Sequence, residues 1–64
     1  PEKAFMFFKL NIDYFPKSPT AYNSMADYYE AQNDIPNAIR FVKKAAELSD
    51  SEFYEKRILE LKKD

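Results

Sequence analysis

Asp27 and Glu30 stand three residues apart in the stretch PTAYNSMADYYEAQND, a spacing that sets two side chains on one helix face. Two carboxylates so placed can do acid–base chemistry if one of them is desolvated and keeps its proton. On a wheel of about 100° per residue both point away from the apolar arc, so a solvated pair is expected and catalysis is not. The chain contains no His and no Cys. Nucleophile systems of the Ser-His-Asp or Cys-His type are thereby excluded within it, as are zinc sites of the usual ligands. It contains no Gly, hence no Gly-rich phosphate loop, and it has no calcium-loop spacing. No catalytic residue, metal ligand or cofactor is expected.

The elements that position these carboxylates are clear. In residues 19–32, Ala21, Tyr22, Met25, Ala26, Tyr28 and Tyr29 share one arc of a helical wheel. Thr20, Asn23, Asp27 and Glu30 share the opposite arc. Ser18 followed by Pro19 is a start signal, because the Ser oxygen accepts an orphan N–H and Pro at the first position loses no bond. Asn33 is the stop, a residue that tolerates the left-handed conformation at a helix end. A second helix over 35–49 starts at once, with Asp34 as cap and Pro36 in the first turn. Ile35, Ala38, Ile39, Phe41, Val42, Ala45, Ala46 and Leu48 cover about half of its wheel, so it must touch more than one neighbour. The short break between the two helices makes them antiparallel and adjacent.

The residues Tyr22-x2-Met25-Ala26-x2-Tyr29, then Ala38-x3-Val42-x2-Ala45, then Asp50, resemble the tetratricopeptide repeat, a helix–turn–helix unit of about 34 residues. Tyr stands for the family's Trp, Met for its Leu and Ala for its small Gly, while Asp50 departs from the closing Pro. The resemblance implies that first helices line a concave peptide-holding groove, with Thr20, Asn23, Asp27 and Glu30 on the groove-facing stripe. The family's carboxylate-clamp form needs Lys on that stripe, and this stripe has none, so C-terminal carboxylates are not the expected ligand. A weakly acidic groove would suit a basic segment; an ordinary solvated face is the plainer reading.

The flanking segments fit the same scheme. Residues 2–15 carry one apolar face of Ala4, Phe5, Phe8, Ile12 and Phe15, and a second of Met6, Phe7, Leu10 and Tyr14. Shifted by the repeat period, Ala4 falls on Ala38, Phe8 on Val42 and Pro16 on Asp50, so this segment looks like the second helix of an earlier repeat. Its second face is expected to cover a preceding helix or another domain; the alternatives are folding back on the last helix or lying on a membrane surface. In residues 50–63, capped by Asp50 or Ser51, Tyr54, Ile58 and Leu61 form a narrow stripe with Phe53 and Leu59 to the sides, as suits a terminal capping helix.

The expected fold is all-α, an antiparallel helical hairpin repeat counted as three helices. Residues 1–16 supply the second helix of an incomplete hairpin, 17–50 the complete hairpin and 51–64 the cap. A chain of 64 residues that opens on Pro1 reads as a piece of a longer protein ending near its natural C-terminus. The net charge of −1, with both signs mixed, gives no case for nucleic acid, and the aromatics fall on packing arcs rather than among basic residues. No apolar run approaches the ~18–20 residues of a membrane span.

The run F-K-x-N-x-x-x-F-P-x-S from Phe8 to Ser18, leading into Y-x-S-x-A-x-x-Y from Tyr22 to Tyr29, also resembles the C-terminal repeat-like appendage of some bacterial secreted or periplasmic hydrolases of the α/β-hydrolase esterase type. That resemblance implies a secreted or periplasmic location and catalytic residues upstream of Pro1. The expected function is a non-catalytic packing or interaction module that docks on its own upstream domain or on a second copy, as in a homodimer. The alternatives are an accessory domain of a hydrolase, testable by a G-x-S-x-G elbow upstream, and a peptide-binding groove.

Overall fold

The computed structural model describes residues 2–63; Pro1 and Asp64 lie outside the described residues. Among the described residues there are four helices and no strand: α1 (Glu2–Tyr14), α2 (Pro19–Ala31), α3 (Ile35–Glu47) and α4 (Glu52–Leu61). The expected count of three is corrected to four, because the opening segment and the capping segment each form a full helix beside the central pair. Each helix except α1 begins at a cap read from sequence. The ends fall short of the expected limits by one to a few residues, as last turns do. At the end of α1 the shortening has a specific cause. Pro16 disfavours the helical conformation at Phe15, so α1 stops at Tyr14 and Phe15 is exposed instead of joining the inner face.

The caps are local chemistry. Ser18 Oγ accepts the Ala21 N–H at 3.4 Å, with Pro19 in the first turn of α2. At the other end Asn33 takes φ 60°. The Asn33 N–H donates to the Glu30 carbonyl at 2.9 Å and the Asp34 N–H to the Tyr29 carbonyl at 2.8 Å. This pair of bonds is a Schellman motif, which satisfies two carbonyls that the helix end would leave orphaned. Asp34 then caps α3 through the Asn37 N–H at 3.3 Å and holds the Asn37 side chain at 2.7 Å. Between the two capping candidates for α4, Ser51 does the work, its Oγ accepting from the Phe53 N–H at 3.2 Å.

The helices pack in chain order: α1 on α2, α2 on α3, α3 on α4. The short connections 15–18, 32–34 and 48–51 force this, since each helix must lie against the one before it. The result is a slab 29 × 26 × 12 Å, little thicker than one helix. The buried core lies between α2 and α3. Ala21, Tyr22, Met25 and Ala26 face Ala38, Val42 and Ala45 there. Small residues dominate it because the two backbones approach closely. Ala26 and Ala38 leave no room for a longer side chain.

Aromatic contacts carry the packing outward from this core. Phe41 lies nearly parallel to Tyr29, with ring centroids 5.4 Å apart. Phe5 of α1 meets Tyr28 at 5.6 Å and Tyr29 at 6.5 Å, and Phe8 meets Tyr28 at 6.4 Å. The buried Tyr22 phenol donates to the Pro16 carbonyl at 2.8 Å, which ties the α1–α2 turn to the core.

Candidate functional site

Two surfaces merit attention, one built across α2 and α4 and the other on α1. The first contains the stripe of α2. Asn23, Asp27 and Glu30 come one helical turn apart on the side of α2 away from the aromatic core. They are brought together with a residue that sequence reasoning missed. Arg57 of α4 reaches across to all three. Its Nη1 donates to Asn23 Oδ1 at 2.6 Å, and its Nη2 donates to Glu30 Oε1 at 2.8 Å and pairs with Asp27 Oδ1. Thr20, the remaining residue of the stripe, is exposed one turn earlier.

The signal for Arg57 was present in the sequence. Tyr54, Arg57, Ile58 and Leu61 follow the i, i+3, i+4, i+7 spacing, so Arg57 falls on the packing face of α4. A charged residue on an inward stripe must find a partner, and α2 holds the partners.

The electrostatics follow from burial. The Arg57 side chain is only 15 % exposed, while the carboxylates of Asp27 and Glu30 are half or more exposed. Burial by itself lowers the affinity of the guanidinium for its proton. The hydrogen bonds and charges of Glu30 and Asp27 outweigh this and hold Arg57 above its ordinary value. Asp27 and Glu30 therefore work as anchors for a cation. Both are turned to solvent on one side, so neither has the desolvated setting that a general acid requires. Next to them a cleft lined by Glu30, Phe53, Lys56, Arg57, Glu60 and Leu61 opens between α2 and α4. Among the described residues no group of three His, Cys, Asp or Glu side chains converges to hold a metal ion.

The second surface is the outer face of α1. Phe5, Phe8 and Ile12 turn toward α2 and are half-buried. Met6 is 62 % exposed, Phe7 62 %, Leu10 49 % and Tyr14 75 %. Among the described residues α1 packs on α2 alone. The alternative in which this face folds back on the last helix is thus corrected: α4 lies at the far edge of the slab, with α2 and α3 between them. The sequence placed the four residues on one face, and the described residues leave that face uncovered. Among the described residues no helix is long and apolar enough to cross a membrane.

Family models, curated proteins and solved structures were all compared with this chain, and none of them matches it.

Proposed function

We propose that the chain is a non-catalytic packing module of the tetratricopeptide kind, which acts by docking the outer face of α1 against an apolar protein surface. The observation that carries this reading is the run of Met6, Phe7, Leu10 and Tyr14 on one exposed helix face. Contiguous apolar surface of this sort on a small chain marks an interaction site. The spacing is that of the faces by which α2 and α3 pack on their neighbours, so a helix is the natural complement. In this reading Asn23, Asp27 and Glu30 serve to seat α4 through Arg57. A peptide entering that stripe would compete with Arg57 for them, which makes the α1 face the better-supported docking site.

The test is a triple variant, Met6→Lys with Phe7→Glu and Leu10→Glu, melted at low-micromolar concentration. Residues outside the fold's own core change stability by no more than about 0.5 kcal/mol each. The variant should keep its helical signal and its cooperative transition, and bind a hydrophobic dye much less than the parent, which is expected to bind it through this face. A variant that unfolds would mean that the face belongs to the chain's own core, and the docking reading would fall.

A further inference from the structure

We infer that the occupant of the α1 face is the same face of a second copy, running antiparallel about a twofold axis at Leu10. The inference rests on the docking reading and names its partner. Met6, Leu10 and Tyr14 stand at i, i+4 and i+8 on one exposed stripe. The stripe is symmetric about Leu10. Turned end for end, it places Met6 of one copy on Tyr14 of the other and Leu10 on Leu10. Thioether against aromatic ring is a favourable contact, and the same surface serves both sides, as a twofold interface demands.

The charges agree with this pairing. Glu2, Lys9 and Asp13 border the stripe on one side, and Lys9 bonds Asp13 at 3.4 Å within the helix. An antiparallel copy sets Lys9 beside the other copy's Asp13, so the ion pair can be exchanged without burying an unpaired charge. Lys3 lies at the N-terminal end of the stripe. In the pair it would approach the C-terminal end of the other α1, whose last turn carries no basic residue of its own. A net charge of −1 leaves little repulsion between copies.

The area sets the strength. With roughly 150–250 Å² per aromatic side chain, the exposed parts of Phe7 and Tyr14, together with those of Met6 and Leu10, offer on the order of 500 Å² per copy. Two copies then bury about 1,000 Å², the lower limit of a specific interface. A reversible dimer with a dissociation constant on the order of tens of micromolar is expected.

The experiment is sedimentation equilibrium from low-micromolar to millimolar chain, with single-cysteine variants alongside. The apparent mass should double across that range, and Leu10→Glu, which sets two carboxylates on the axis, should weaken association at least about 100-fold. The absence of any native cysteine makes crosslinking unambiguous. Leu10→Cys should form a disulfide dimer with itself. Met6→Cys should crosslink to Tyr14→Cys in a mixture and not to itself, with Lys43→Cys on α3 as the negative control. Met6→Cys pairing with itself would overturn the antiparallel geometry. A parent chain that stays monomeric to millimolar concentration would overturn the second copy as occupant. If the triple variant remains folded in that case, the docking reading survives; if it unfolds, both fall.

Discussion

Replacing Arg57 by Ala tests how α4 is attached to the rest of the chain. α4 contributes no fully buried residue, and its Tyr54, Ile58 and Leu61 are half-buried against α3. The guanidinium adds a second attachment, to α2. Truncation removes three polar contacts and the packing of a largely buried stem. Asp27 and Glu30 face water and rehydrate when the cation is gone, so each pair is worth about 0.3–1 kcal/mol rather than the larger figure of a buried ion pair. The bond to Asn23, which is partly buried, and the lost contacts of the stem add roughly 1 kcal/mol together. The expected cost is about 2 kcal/mol. In a chain of this size that lowers the melting temperature by roughly 8–16 °C. Far-ultraviolet circular dichroism in a urea titration and a thermal scan reads both numbers.

Three further measurements isolate the cause. Arg57→Lys should recover only part of the loss, since an ammonium cannot fork between an amide and two carboxylates. A double-mutant cycle of Arg57→Ala with Asp27→Ala should show a coupling of about 0.5–1 kcal/mol that shrinks in molar salt. The pH dependence has a definite sign. The folded chain holds the guanidinium above its ordinary value, so its contribution is fully present below that value and is lost only as pH rises through the raised one. The cost of Arg57→Ala should stay constant from neutral pH to mildly alkaline conditions. A cost under about 0.5 kcal/mol, or strict additivity with Asp27→Ala, would refute the argument, because it would place Arg57 among ordinary surface residues.

Substitutions at two positions probe the central hairpin. Ala26→Leu inserts three carbons where the side chain is fully buried between α2 and α3, and should cost about 1–3 kcal/mol in the same assay; an unchanged melting temperature would contradict the close helix contact. Asn33→Ala places a Cβ residue of poor left-handed tolerance at φ 60° and should cost about 1 kcal/mol, while Asn33→Gly should be neutral or mildly stabilising. Equal stability of the Ala and Gly variants would show that the Schellman turn is not held by that conformation.

Helix positions and their starts were decided by the sequence alone, because each signal lies within a few residues of the feature it controls. Ser18 and Pro19, Asn33 and Asp34, and Ser51 act on backbone groups three or fewer residues away. The apolar periods of α2 and α3 likewise name the core residues Met25, Ala26, Ala38 and Val42 in advance. Even the face of α1 that stays open can be read as a second apolar arc. The tertiary structure decided where the charges go. Asp27 and Glu30 look like a solvated pair until α4 brings Arg57 to them, from 27 positions further along in the case of Glu30. No local pattern encodes that distance. It depends on α3 turning the chain back and on α4 packing against it, so the partner of a polar stripe is known only when the helices between have been placed. The same geometry kept α1 and α4 at opposite edges of the slab, which is why the described residues leave the Met6, Phe7, Leu10 and Tyr14 face exposed.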